Sequence, residues 1–105
     1  MTDFCQLQLT CADKEEANKI ASTLLVKHLV ACVKQMPVNS TYWWQGKMEV
    51  SDEIMLIMDS KPQLFAKIEA EIAKIHSYDT FVLQQLPINK VSEKVKAWLE
   101  KYIDA

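Results

Sequence analysis

Gly46 is the only glycine among 105 residues, where average usage would supply roughly 7%. That scarcity excludes the glycine-dependent motifs of phosphate binding and nucleophilic catalysis: no G-x-G-x-x-G, Walker loop or G-x-S-x-G elbow can be written from this chain. Loops without glycine must be short or regular, so nearly all of the chain is expected in helices and strands. Basic blocks are missing too. Lys and Arg number 12 against 14 acidic residues, a formal charge of -2, and nothing here could neutralise a run of phosphates, which argues against nucleic acid as a partner. No apolar run approaches the roughly 18 residues of a membrane span. The opening MTDFCQLQLT has no basic segment followed by an apolar one, so no membrane contact and a cytoplasmic location are expected. Cys5, Cys11 and Cys32 are odd in number and lack C-x-x-C spacing. They point away from a disulfide framework or structural zinc and towards reduced, mostly buried thiols.

What is present reads as one domain over residues 1–105, because 50% apolar and 25% charged residues is ordinary globular composition. FCQLQLTC alternates, with Cys5, Leu7, Leu9 and Cys11 on one face of a strand. Asp13 with Glu16 three residues on forms a capping signal. Ala17, Ile20, Ala21, Leu24, Leu25 and His28 then make one helical stripe, and His28 is expected as a partly buried residue at the helix C-terminus. Val30 to Trp44 and Lys47 to Asp59 read as two arms of a hairpin about Gln45-Gly46, with Pro37 at a bulge or an edge. The continuous run EIMLIM suggests a central strand covered on both faces. Ser60 and Gln63 form a second capping signal, before a helix on Leu64, Phe65, Ile68, Ile72 and Ile75 that ends near His76. FVLQQLPI supplies a fourth strand, and Val91, Val95, Trp98, Leu99 and Tyr102 give a terminal amphipathic helix.

The order β-α-β-β-α-β-α fits an α+β, ferredoxin-like split β-α-β sandwich with a C-terminal helix and a long central hairpin. Arms of about 12 residues at ~3.3 Å each reach roughly 40 Å, well beyond a domain whose radius of gyration should be near 13 Å. The tip must project. Carrying Tyr42, Trp43, Trp44, Met48 and Val50, it would expose more apolar surface than monomers usually tolerate, so other subunits are expected to cover it.

Read together, LVACVKQMPVNSTYWWQGKMEVSDEIMLIMDS and IHSYDTFVLQQLPI resemble the CutA divalent-cation-tolerance family. The shared features are an A-C-V strand start, a Y-x-W-x-G-K tip, an acidic residue before an apolar strand, an H-P-Y-E-like turn and an L-P-[IV] strand end. The resemblance runs in one register from about residue 4 to 102. It implies a homotrimer with sheet pairing between subunits, similar in architecture to PII nitrogen-signalling proteins, and tolerance to copper and other divalent metals. Ala31-Cys32-Val33, Tyr42, Trp44, Gly46, Lys47, Glu53, His76, Tyr78, Leu86 and Pro87 match the pattern. Ser77, Asp79, Phe81, Val82 and Asp59 depart from it, and they fall on the polar group that would line a cleft between subunits.

His76 is the best candidate metal ligand, since imidazole suits copper or zinc. The family's suggested cysteine position is Leu9 here, and Cys11, two residues on and on the same strand face, is its candidate replacement. Cys5 and Cys32 are expected in the core, and the methionines of the hairpin as packing. Lys47, Glu49, Tyr78 and Asp79 could converge in an intersubunit cleft that binds a small anion or performs acid-base work, although a surface ion pair between Lys47 and Glu49 is the plainer expectation. No nucleophile and base stand at catalytic spacing, so no enzyme and no organic cofactor are expected. Tyr42, Trp43 and Trp44 are assigned to the interface between protomers. The expected function is a trimeric, weakly metal-binding tolerance protein, with copper foremost. The alternatives are a PII-like small-molecule sensor and a structural trimer that organises partners.

Overall fold

The computed structural model describes residues 2–104. Its elements are β1 (Cys5–Cys11), α1 (Lys14–Val26), β2 (Cys32–Trp44), β3 (Lys47–Ser60), α2 (Phe65–Ala73), β4 (Leu83–Pro87) and α3 (Glu93–Tyr102). The strands form one antiparallel sheet in the order β2-β3-β1-β4, the order a split β-α-β chain produces. Among the described residues no helix is long and apolar enough to cross a membrane.

Alternation builds the core. Cys5, Leu7, Leu9 and Cys11 of β1 share a face with their partners Ser60, Met58, Leu56 and Ile54 on β3. Ala17, Ile20 and Leu24 of α1 and Ile68 and Ile72 of α2 are buried in the same cluster. Each such aliphatic side chain removed from water contributes about 1.5–3 kcal/mol, which is why this face and not the other fixes the helices.

Helix α1 shows how the chain manages with one glycine. Asp13 caps its start by accepting the Glu16 N–H at 2.8 Å. At its end the Leu29 N–H donates to the Leu24 carbonyl and the His28 N–H to the Leu25 carbonyl, both at 3.0 Å, the paired bonds of a Schellman cap. His28 occupies the left-handed position with φ 57, where glycine is the usual residue. Contrary to expectation it is exposed, and the carbonyl its ring meets, that of Tyr102 at 3.1 Å, belongs to α3.

Several local expectations are corrected. Ser60 caps no helix: it ends β3 with its side chain buried, and its hydroxyl donates to the Leu29 carbonyl at 2.6 Å. A 3-10 turn over Pro62–Leu64 leads into α2 without a side-chain cap, proline being well suited to a first helical turn. Strand β4 starts at Leu83 and not at Phe81. In α3, Leu99 is buried with Ile103 while Trp98 and Tyr102 are half exposed. Cys32 is only partly buried, with the Lys34 ammonium 3.8 Å from its sulfur. Within this chain β3 is covered on one face only, leaving Met55 and Ile57 partly exposed on the other.

The hairpin projects as expected. Its pairing runs unbroken from Cys32 opposite Asp59 to Trp44 opposite Lys47, so Pro37 marks an edge strand and no bulge. Gln45 (φ 50) and Gly46 (φ 80) form the two-residue turn, with both residues left-handed as a type I′ hairpin requires. The molecule measures 45 × 25 × 22 Å, with a radius of gyration of 14.3 Å. At the far end Trp43, Met48 and Val50 are 72%, 66% and 63% exposed.

Candidate functional site

Two adjoining elements and a turn distant in sequence meet at the end of β1. Cys11 closes that strand, Glu16 stands in the first turn of α1, and His76 follows α2. Their ligand atoms lie within 4.8 Å of one another, so the two ligands expected from the sequence, 65 positions apart, are brought together with a third. Glu16 shows in the sequence only as a capping residue. Its reach to a turn 61 positions away had no signal there.

Hydrogen bonds fix this cluster. The His76 side chain is fully buried. Its Nε2 lies 2.8 Å from the Thr10 carbonyl, and because a carbonyl only accepts, Nε2 carries the proton. Nδ1 then accepts the Tyr78 N–H at 3.0 Å. Phe81 stacks on the ring with centroids 5.2 Å apart, so one of the residues at which the chain departs from the family pattern closes the histidine off. Glu16 accepts the Ala12 N–H on one oxygen at 2.7 Å and the Ser77 N–H on the other. Burial pushes the Glu16 carboxyl up, but the hydrogen bonds from Ala12 and Ser77 outweigh it and hold the group below the usual glutamate value. Burial, followed by the charges of Glu16, Asp13 and Glu53, pushes the Cys11 thiol up to about 12. Cys5, deep in the core, is raised to about 11 by burial and by Asp59.

Thiol, imidazole and carboxylate are donor types that suit copper or zinc, so the residues fit such an ion in kind. Their atoms are already engaged. An ion would have to displace the Tyr78 N–H from Nδ1 and the thiol proton from Cys11, while Glu16, which accepts one N–H on each oxygen, keeps lone pairs to offer it.

Beside this cluster the sheet's open face and the hairpin form a groove of about 590 Å³. Tyr42, Trp43 and Trp44 line it with Glu53, Tyr78 and Asp79. Glu53 is 6% exposed and accepts the Tyr78 hydroxyl proton at 2.9 Å. Burial, then the hydrogen bond to Glu53 and its charge, push the Tyr78 hydroxyl well above its usual value. Tyr78 and Asp79 therefore meet the aromatic trio within one chain. Lys47 and Glu49 do not join them in this groove; they lie along the exposed ribbon, opposite Trp44 and Tyr42, and make no ion pair with each other among the described residues. Within one chain, this groove therefore offers a small anion no cationic side chain among the described residues.

A family model described as CutA1 divalent ion tolerance protein matches residues 5–102. The divalent-cation tolerance protein CutA of Archaeoglobus fulgidus is 33% identical over 98 residues, which cover 93% of this chain and 96% of that protein. The solved structure described as the periplasmic divalent cation tolerance protein CutA from the same organism superimposes with a TM-score of 0.93 at 32% identity, covering 96% of this chain and 99% of that one. CutA from Xylella fastidiosa matches with a TM-score of 0.92 at 28% identity, over 98% of this chain and 100% of that one. Fold and length coincide with both solved structures, and the chain belongs to the CutA1 divalent ion tolerance family.

Proposed function

We propose that this chain works without catalysis, as a homotrimer that binds divalent metal weakly and contributes to metal tolerance, copper being the first ion to test. The convergence of Cys11, Glu16 and His76 within 4.8 Å carries the metal reading. Weak affinity follows from the prior engagement of the donors: each protein hydrogen bond given up subtracts from the metal's binding free energy. The exposed apolar ribbon supports the trimer, with Tyr42, Trp43 and Trp44 placed between protomers. Three free cysteines fit a reducing, cytoplasmic setting.

Calorimetric titration of Cu(II), Cu(I) and Zn(II) into wild type and His76→Ala tests the site. Affinity should be lost in the variant, and identical isotherms would overturn the assignment. If Cys11 binds as thiolate, the wild-type constant should rise about tenfold per pH unit below the thiol's raised value. A pH-independent constant would remove Cys11 from the site.

A second reading, a PII-like sensor of small molecules, is favoured by one observation: the groove is of the size that takes a metabolite. A thermal-shift screen of nucleotides and metabolites that moves nothing would count against it.

A further inference from the structure

We propose that Tyr78 couples the metal cluster to the hairpin: metal binding at His76 takes the acceptor from the Tyr78 N–H, and the displaced Tyr78 lets go of Glu53. The proposal rests on the reading of Cys11, Glu16 and His76 as a metal site and adds what occupation of that site does to the rest of the chain.

The turn after His76 hangs on the cluster. The Ser77 N–H donates to Glu16, and the next one, that of Tyr78, donates to His76 Nδ1 at 3.0 Å. The Tyr78 ring also packs on the imidazole, with centroids 4.9 Å apart. The two N–H attachments respond differently to an ion. A carboxylate oxygen has lone pairs for an N–H and an ion together, so Ser77 can stay. A neutral imidazole has a single nitrogen with a free lone pair. If Nδ1 binds the ion, that lone pair is used. If Nε2 binds it, the proton that Nε2 now donates to the Thr10 carbonyl must move to Nδ1, which then faces the Tyr78 N–H as donor to donor. Either way Tyr78 loses its acceptor, and a backbone N–H without a partner must move to find one.

At its other end the same residue holds the hairpin. The Tyr78 hydroxyl donates to Glu53 at 2.9 Å, the one hydrogen bond or ion pair to that carboxylate among the described residues. Glu53 is 6% exposed, and a carboxylate so far removed from water is costly to leave unpaired. It must therefore shift when Tyr78 does. Strand parity puts Glu53 on the ribbon face of Tyr42 and Trp44, and all three line one groove with Tyr78. Occupation of the cluster is thereby felt on the face assigned to protomer contacts, and by reciprocity those contacts bear on metal affinity.

The test adds Zn(II), which is diamagnetic, to the assembled protein and follows it by NMR. Zinc should shift the Trp44 indole N–H and leave that of Trp98, on α3, in place. The Tyr78 amide should exchange with solvent about tenfold or more faster. Tyr78→Phe keeps the N–H and the ring but loses the hydroxyl; it should bind zinc at least as tightly as wild type by calorimetry, while Trp44 no longer responds. Weaker binding by that variant, or a Trp44 shift as large as in wild type, overturns the coupling. Zinc that binds wild type without moving Trp44 or freeing the Tyr78 amide also overturns it, and leaves the metal site standing. Identical zinc isotherms for wild type and His76→Ala overturn both. The wild-type exchange measurement decides the matter even where the variant does not fold.

Discussion

The two ends of this molecule solve opposite problems. At the base, β1, the inner half of β3, α1 and α2 enclose Leu7, Leu9, Ile20, Leu56, Ile68 and Ile72, each at 0–1% exposure. At the tip, the same hairpin carries its largest apolar side chains into solvent. The base is self-sufficient because helices and sheet present complementary faces. A two-stranded ribbon has no third layer and is at best marginally stable alone. The tip therefore finds no burial within the chain, and one strand, β3, belongs to both regimes along its length.

The contrast can be broken from either end. Leu56→Ala at the base should destabilise the fold by about 3 kcal/mol through the cavity it leaves, read as a lowered denaturant midpoint; a loss below 1 kcal/mol would show that the base is loosely packed. Trp44→Ala should leave the circular dichroism of the subunit almost unchanged and weaken assembly by roughly 2 kcal/mol per subunit. Sedimentation at low concentration should reveal dissociation, and an unaltered mass would place the clamp elsewhere. Smallest is Glu16→Gln, expected to lose roughly 1–2 kcal/mol, because an amide can accept only one of the two N–H groups that the carboxylate accepts. Its pH dependence sharpens the point. Glu16 titrates lower folded than unfolded, so its contribution is complete above the unfolded value of about 4.3 and fades as pH falls through the folded one. Acid melts of wild type should therefore fall more steeply than those of the variant, and parallel curves would remove Glu16 from the acid response.

Regular elements were legible in the sequence because their signals are local. Alternation in FCQLQLTC and the stripe from Ala17 to Leu24 needed no tertiary knowledge, and Gln45-Gly46 announced its turn. The failures share a cause. Ser60 has the side chain of a cap, but its depth in the core made the Leu29 carbonyl its partner. EIMLIM reads as covered on both faces because apolar composition cannot say whether the cover is supplied by the same chain. Of the site, His76 and Cys11 were found by chemistry and resemblance. Glu16 and Glu53 were not given their roles, since a carboxylate that joins a distant turn leaves no periodic trace. Strand parity puts Lys47 on the same ribbon face as Tyr42 and Trp44, but within one chain it does not line the groove where Tyr78 and Asp79 sit.

Pro37 has a consequence for how the molecule avoids its own kind when concentrated. It stands within β2, the outermost strand on its side of the sheet, and it has no N–H to offer a neighbour. A stray strand laid along that border finds the ladder of donors interrupted partway. The open margin of a long strand is a recognised seed for fibrils, and here one ring divides it into two stretches, each shorter than the whole.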